Sequence, residues 1–125
     1  MTSRDISLEM AKAAAEATLN HCRQGGYHTV AVVVDRGGQV LVMLRDEQAT
    51  YSMMEMARRK AYTAQLFRAS SADFQQKTAT DPRSAAQRDV SDILALGGGL
   101  PIQSRGEIIG AIGSSGSNPV DDEAC

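Results

Sequence analysis

Aromatic side chains are scarce in this sequence, which has no tryptophan and only five Phe and Tyr residues among 125 positions. Proteins that stack bases or sugar rings on their surface need more aromatic side chains than this. A large excess of charge of one sign is also missing, since the chain has 13 Lys and Arg residues and 15 Asp and Glu residues. A balanced surface releases few counterions from a nucleic-acid backbone, so we expect no nucleic-acid partner.

Long apolar runs and closely spaced cysteines are missing as well. No apolar segment approaches ~18 residues, and the first residues lack the order of a signal peptide, so we expect a cytoplasmic protein without a membrane partner. Cys22 and Cys125 are the only cysteines, too few for a disulfide framework, and we expect both to be reduced. We predict no metal site, because His21 and His28 belong to different elements.

What the sequence does contain is enough periodic apolar residues for one domain, which we assign to residues 1–125. Helical periodicity predicts a helix over residues 7–24 and a second over 50–69. Between them, two β-branched runs flank a glycine-containing turn at 36–39, which predicts a β-hairpin. The first of these strands has no polar alternation, so we expect both its faces to be covered.

The second half of the chain is less regular. Residues 70–92 are polar, which predicts an irregular crossing with a short helical turn near 84–88. Residues 93–102 and 107–116 predict two short strands. The order of elements indicates an α/β protein of the α+β type. We expect a central antiparallel sheet of about four to five strands, with helices packed on it in a profilin-like two- or three-layer arrangement.

One lysine lies near the centre of the apolar face of the second predicted helix. At 100° per residue, Met53, Met56 and Phe67 define that face, and Lys60 falls among them. Gln65 is expected on the opposite, solvated side. The basic run of residues 58–60 is therefore divided between two faces of the helix.

A buried lysine allows two interpretations, because its ammonium must pair, reach solvent or lose its proton. In the first, Lys60 and Thr63 point into a ligand pocket and offer a cation and a hydroxyl. In the second, Lys60 forms a structural ion pair with Asp35 or Asp46, or its stem is buried while its ammonium reaches solvent. The sequence does not choose between them.

Two glycine-rich segments, residues 97–101 and 113–116, are further candidates. Both can bring backbone N–H groups close to a ligand. Neither has the spacing of a phosphate loop or a dinucleotide fingerprint, and tight packing is the alternative explanation. The candidate ligand-binding residues from these segments are Gly97, Gly98, Gly99, Pro101, Gly113, Ser114 and Ser115.

Six motifs follow one another along nearly the whole chain: LEMA at 8–11, VVVDRGG at 32–38, RD at 45–46, ARRKAYTA at 57–64, GGGLPI at 97–102 and GAIGSSG at 110–116. In this order they resemble the GlcG/HbpS-like haem-degrading domain family. That family includes the C-terminal domain of PduO-type corrinoid adenosyltransferases.

The resemblance implies a compact α/β domain that assembles as a homo-oligomer, from dimers to octamers. It also implies a small-molecule ligand, with haem as a candidate cofactor, bound near Lys60, Thr63, Arg45 and the two glycine-rich segments. Family members continue through a complete C-terminal helix. Here a helix start is predicted at Asn118 and the chain ends at Cys125, so we expect a truncated final helix and completion by association.

Three functions remain open at this point. The first is binding of haem, another tetrapyrrole or another small molecule, with Lys60 pairing with a ligand carboxylate. The second is a cofactor-independent enzyme for a small organic acid or carbonyl compound, with Lys60 as catalytic base or electrostatic stabiliser. The third is a non-catalytic accessory or assembly subunit. The predicted pocket offers no histidine, so iron ligation would rest on a methionine, Thr63 or a surface contact.

Overall fold

The structure, a computed structural model, describes residues 5–116. The helix start predicted at Asn118 lies outside these residues. In chain order the elements are α1 (Leu8–Gln24), β1 (Val30–Asp35), β2 (Val40–Arg45), α2 (Tyr51–Phe67), α3 (Ser71–Thr80), a short 3-10 helix (Ala85–Asp89), β3 (Gly99–Ser104) and β4 (Glu107–Ser115).

The four strands form one antiparallel sheet in the order β2-β1-β4-β3. Helix α1 packs on one face and α2 on the other, so the expected mixed fold with an antiparallel sheet is confirmed, with four strands in three layers. Helix α3 packs beside α2. Among the described residues, no helix combines the length and the apolar character that crossing a membrane requires.

Strand β1 is central to both cores, since residues 30–34 are completely buried. On one face Val33 joins a cluster with Ala15 of α1, and on the other Val32 joins a cluster with Ala57 and Ala61 of α2. A strand covered on both faces needs apolar residues at every position rather than at alternate ones. The predicted double coverage of this strand is confirmed.

Helix α1 begins and ends where the sequence predicts. Ser7 caps it by accepting a hydrogen bond from the Met10 amide at 3.1 Å, and Gly25 follows its last residue. Cys22 is fully buried in its last turn. The expectation of a reduced thiol at Cys22 is wrong, because Cys22 is disulfide-bonded; the predicted thiol of Cys125 lies outside the described residues.

Helix α3 is the main departure from the sequence prediction, which placed an irregular crossing at residues 71–80. Ser70 caps the helix by accepting from the Asp73 amide at 3.1 Å. Its buried side chains include only one large apolar group, Phe74, accompanied by Thr78. A helix that buries so little apolar surface gives almost no periodic signal, which is why the pattern missed it.

Gln65 was expected on the solvated side of α2, and this prediction is wrong. Its side chain is 7% exposed. The amide nitrogen Nε2 donates to the backbone oxygen of Arg36 at 2.8 Å, which draws the side chain toward the β1–β2 turn. A polar side chain can be buried in this way when the backbone offers it a partner.

Two glycines let the backbone of α2 lie directly against the sheet. A Cβ atom built on Gly113 of β4 would lie 2.1 Å from the backbone oxygen of Ala57. One built on Gly99 of β3 would lie 2.2 Å from the backbone oxygen of Lys60. No other residue type fits at either position without moving the helix.

We therefore expect Gly113→Ala to lower the free energy of unfolding by about 3 kcal/mol or more, because α2 must shift to admit the methyl group. Gly37→Ala is the matched control, since a Cβ there lies 3.4 Å from its nearest neighbour, a carboxylate oxygen of Asp35. The control should change stability by less than about 1 kcal/mol. Urea unfolding measures both, and equal losses in the two variants would contradict this explanation.

Candidate functional site

Lys60 lies in the middle of α2 and is 1% exposed, so its predicted place on the buried face is confirmed. Its ammonium nitrogen Nζ donates to the backbone oxygen of Ser114 at 3.2 Å. The Ser114 amide in turn donates to the Gly98 oxygen at 2.9 Å. Lys60 therefore satisfies a buried carbonyl group just where the pairing of β3 with β4 begins.

The two carboxylates considered as structural partners of Lys60 accept hydrogen bonds from other residues. Asp35 Oδ1 accepts from the Gly37 amide at 2.9 Å in the β1–β2 turn. Asp46 Oδ2 accepts from Arg23 Nε at 2.8 Å. Lys60 donates to a backbone carbonyl rather than to either of these groups.

The first glycine-rich segment is anchored to both neighbouring helices. Gly97, Gly98 and Gly99 are buried. The Gly99 amide donates to Ser71 Oγ of α3 at 2.8 Å, while its Cα lies against the backbone of Lys60. Close packing therefore accounts for Gly99, and ligand binding by this segment stays a prediction.

The second segment is equally enclosed. Gly113 lies under α2, and Ser114 and Ser115 are almost completely buried. Ser115 pairs with Val30 at the start of β1. Pro101 is half-buried in the edge strand β3, where a missing amide hydrogen is tolerated.

Thr63 holds the segment that leads into β3. Its hydroxyl donates to the Arg59 backbone oxygen at 2.7 Å and accepts from the Leu94 amide at 2.9 Å. Arg59 adds a hydrogen bond to the backbone oxygen of Ile93 at 2.6 Å. These contacts keep residues 93 and 94 against α2, so β3 begins at Gly99 and not at 93 as predicted.

The remaining predicted residues lie away from this network. Arg45 Nη1 donates to the Ala49 oxygen at 2.9 Å and fixes the loop between β2 and α2. Met53 is half-buried against the core on the α2 face, and Met56 is half-buried in the next turn. The structure does not bring these side chains together with Lys60 around one described cavity.

Phe67 lies at the far end of α2. Its ring stacks on Phe74 of α3 with 4.3 Å between the ring centroids. Both rings line a cavity of about 210 Å³ with Asp73 and Lys77. This cavity is apolar with a charged rim, and it is separate from the contacts of Lys60.

A buried carboxylate forms a second site, which the sequence analysis missed. Asp46 follows β2 and is 1% exposed. It accepts from Arg23 Nε at 2.8 Å and from the Gln48 amide at 3.0 Å, and His28 Nδ1 lies 3.2 Å from its Oδ2. The hydrogen bond from Arg23 and then that from Gln48 hold the pKa of Asp46 well below its usual range, so it carries a full negative charge.

His28 is exposed in this cluster, with 44% of its side chain accessible, and so is Arg23. Because Nδ1 faces Asp46, the other ring nitrogen, Nε2, lies on the opposite side of the ring. A carboxylate that accepts from Nδ1–H leaves the lone pair on Nε2. Proteins orient metal-ligating and proton-transferring imidazoles by this arrangement.

The pairing of His28 with Asp46 escaped prediction because these residues are 18 positions apart in the sequence. His28 stands before β1 and Asp46 after β2, and the hairpin brings them together, with the Asp46 amide donating to the Thr29 oxygen at 3.0 Å. The register of the predicted hairpin was the sequence signal from which this contact could have been predicted. Extending the predicted strands toward their open end pairs Thr29 with Asp46 and places His28 beside it.

Comparison with known proteins decides the family. The model of the family described as "Haem degrading protein HbpS-like" matches residues 6–125. The chain belongs to the HbpS-like family.

Relatives of this HbpS-like chain support the assignment along its length. An uncharacterized 15.0 kDa protein from the dhaT-dhaS intergenic region of Citrobacter freundii is 31% identical over 121 residues, which are 94% of this chain and 84% of that protein. The crystal structure of a double mutant of Streptomyces reticuli HbpS superimposes with a TM-score of 0.92 at 31% identity, covering 99% of this chain and 84% of that one.

More distant structures share the fold. The Klebsiella pneumoniae protein ORFY has a TM-score of 0.92 at 25% identity, covering 99% of this chain and 87% of its own. The crystal structure of a PduOC:heme complex has a TM-score of 0.86 at 21% identity, covering 96% and 88%. The resemblance to this family, including the PduO-type domain, is confirmed at the level of fold.

The buried ammonium of this HbpS-like chain gives a first prediction for the site. Lys60→Met keeps the length and apolar stem of the side chain but leaves the Ser114 carbonyl without its donor. We expect the free energy of unfolding to fall by about 1–3 kcal/mol, measured by urea unfolding. The control is Lys77→Met at an exposed position of α3. This substitution should lower the free energy of unfolding by less than about 0.5 kcal/mol. A Lys60→Met protein as stable as the control would show that the buried contact contributes nothing.

The lowered pKa of Asp46 predicts a pH-dependent contribution to stability. Since folding lowers this pKa, the contribution is complete above the unfolded value of about 3.9 and is lost as the pH falls further. We expect wild type to be more stable than Asp46→Asn at about pH 6, with the difference shrinking below about pH 4. Urea unfolding at several pH values tests this. The control Asp89→Asn, at an exposed carboxylate, should show the same dependence of stability on pH as wild type. A stability difference between wild type and Asp46→Asn that stays constant with pH would be incompatible with a charged Asp46.

Proposed function

We propose that this HbpS-like chain binds haem or a related iron tetrapyrrole, with His28 as the iron ligand. The pair formed by His28 and Asp46 carries the proposal, because it combines an accessible imidazole with a buried carboxylate that fixes its orientation. Membership of the HbpS-like family supports the class of ligand. The heme complex of PduOC, a protein with the same fold, supports it further.

The donor set of the described residues fits a tetrapyrrole better than a bare metal ion. Within residues 5–116, no group of three or more His, Cys, Asp or Glu side chains is placed to hold a metal ion. Haem iron receives four ligands from its own ring, so a single well-oriented histidine is enough to attach it. The carboxylate behind His28 also matches the outer partner that metal-ligating histidines use.

The described cavities favour binding at the surface. The cavities of about 180, 210 and 370 Å³ have neither His28 nor Asp46 among their described lining residues. A tetrapyrrole would therefore lie across the exposed side of His28. When bound, haem supplies an iron centre for electron transfer or for binding small ligands.

Each residue of the cluster has a separate role in this proposal. Asp46 holds the proton on Nδ1 of His28 and so directs the lone pair of Nε2 outward. Arg23 and the Gln48 amide keep Asp46 ionised and fixed in position. Arg45 supports the same loop through the Ala49 carbonyl.

Lys60 acts in this proposal as a positioning residue rather than as a ligand contact or catalytic base. Its ammonium holds the carbonyl group of Ser114. The next residue, Ser115, pairs with Val30 at the start of β1, two positions after His28. In this proposal, Lys60 and the second glycine-rich segment hold the end of β4 against the start of β1, which follows His28 in the chain.

Self-association belongs to the same proposal. Leu8 and Met10 are exposed apolar residues in the first turn of α1. Exposed apolar side chains of this kind favour contact between copies of a chain.

The test compares the two histidines of the chain by titration with haemin. Wild type should give a saturable shift of the Soret absorbance with one defined stoichiometry. His28→Gln should weaken binding by at least about tenfold and move the Soret maximum, because the iron loses its ligand. His21→Gln, at an exposed position in the last turn of α1, should behave as wild type. An unchanged spectrum and affinity in His28→Gln would overturn the proposal.

A further inference from the structure

A separate cavity lies where the β1–β2 turn meets the end of α2. It measures about 180 Å³, and Arg36, Arg68, Gln65, Gly38 and Tyr62 are among its lining residues. We propose that this cavity binds a small oxyanion that also carries an O–H group, for which hydrogen phosphate is the model ligand. The site is independent of the proposed tetrapyrrole function.

The cationic side of the cavity comes from two elements. Arg36 belongs to the β1–β2 turn, and Arg68 follows the last residue of α2. The guanidinium of Arg36 also pairs with Glu107 of β4, which ties it to the sheet. Arginine presents several N–H donors in one plane and is the side chain that best recognises tetrahedral and carboxylate oxyanions.

Arg68 occupies a position that an arginine rarely takes. Its backbone has φ 54° and ψ 41°, the left-handed conformation in which a helix usually ends with Gly or Asn. For a residue with a side chain this conformation costs roughly 1 kcal/mol. Strained backbone of this kind is concentrated at binding sites, where the side chain it presents is needed. The conformation holds Arg68 at the mouth of the cavity.

Gln65 adds a requirement on the ligand. Its Nε2 donates to the Arg36 carbonyl, which can only accept, so the amide orientation is fixed. The other amide atom, Oε1, is buried and has no hydrogen-bond partner among the described residues. An unsatisfied buried acceptor is unfavourable by about 1–3 kcal/mol. Gln65 lines the cavity, so a small shift of this buried side chain toward a ligand that offers an O–H or N–H removes that penalty.

The walls set the size of the ligand. A Cβ built on Gly38, where φ is 80°, would lie 2.9 Å from the Tyr62 ring, so the turn lies flat against the ring. A volume of 180 Å³ corresponds to about six water molecules at ~30 Å³ each. One tetrahedral anion with a few waters fills such a space. The size of the cavity, its positive charge and the unsatisfied acceptor Oε1 of Gln65 together favour an oxyanion that carries an O–H group over one that does not.

The decisive probes are inorganic phosphate and sulfate, titrated into the whole chain at equal ionic strength. At about pH 8 both are largely dianions of similar size and shape, but only hydrogen phosphate carries an O–H. We expect wild type to bind phosphate with a Kd at least about tenfold lower than that for sulfate, because only phosphate satisfies Gln65. Isothermal calorimetry or amide NMR shifts at residues 36–38 measure both constants.

Two variants separate charge from hydrogen bonding. Arg68→Gln should weaken phosphate binding by about tenfold or more. Arg105→Gln is the matched control, because Arg105 is also exposed with positive φ, 52°, but lies in the turn between β3 and β4. Gln65→Met should remove the preference for phosphate while sulfate binding remains.

The wild-type comparison decides the proposal even if Gln65→Met does not fold. Equal affinities for phosphate and sulfate in wild type would overturn it, and so would equal effects of Arg68→Gln and Arg105→Gln. A phosphate preference that Arg68→Gln abolishes and Arg105→Gln preserves would establish the site.

Discussion

The buried carboxylate of Asp46 is the interaction on which the arrangement of the segments around His28 depends. A charged group with so little surface accessible to water needs donors for its oxygens. Arg23 reaches it from α1, His28 from the residues before β1, and the Gln48 amide from the loop after β2. One side chain thus joins three segments, and it fixes the imidazole that we propose as the iron ligand.

The second constraint is the direct contact of the α2 backbone with the sheet. Gly99 and Gly113 leave no space for even a methyl group beneath the helix. This close approach is what buries Lys60 and places its ammonium within reach of the Ser114 carbonyl. Close packing thus accounts for these glycines and for the burial of the lysine, while ligand binding by them stays a prediction.

Local patterns predicted the parts of the fold that bury much apolar surface. Helix α1, helix α2 and the hairpin of β1 and β2 each repeat apolar residues with a clear period, so their positions followed from the sequence. Helix α3 did not follow, because its buried face carries a single large apolar residue. The prediction for Gln65 was wrong for a related reason, because its side-chain orientation depends on the backbone carbonyl of Arg36, which belongs to another element. The pairing of His28 with Asp46 follows only when the register of the β1–β2 hairpin is extended past the strand ends, to residues that have no periodic signal of their own.

The central claim is that Asp46 presents His28 with its proton on Nδ1 and its lone pair on Nε2. Nitrogen-15 NMR of the imidazole side chains in the haem-free protein, at a pH where the rings are neutral, tests it most directly. His28 should show the Nδ1–H tautomer, and the exposed His21 provides the internal reference with the ordinary Nε2–H form. If His28 instead carries its proton on Nε2, Asp46 does not orient it and the proposed iron ligand loses its physical basis.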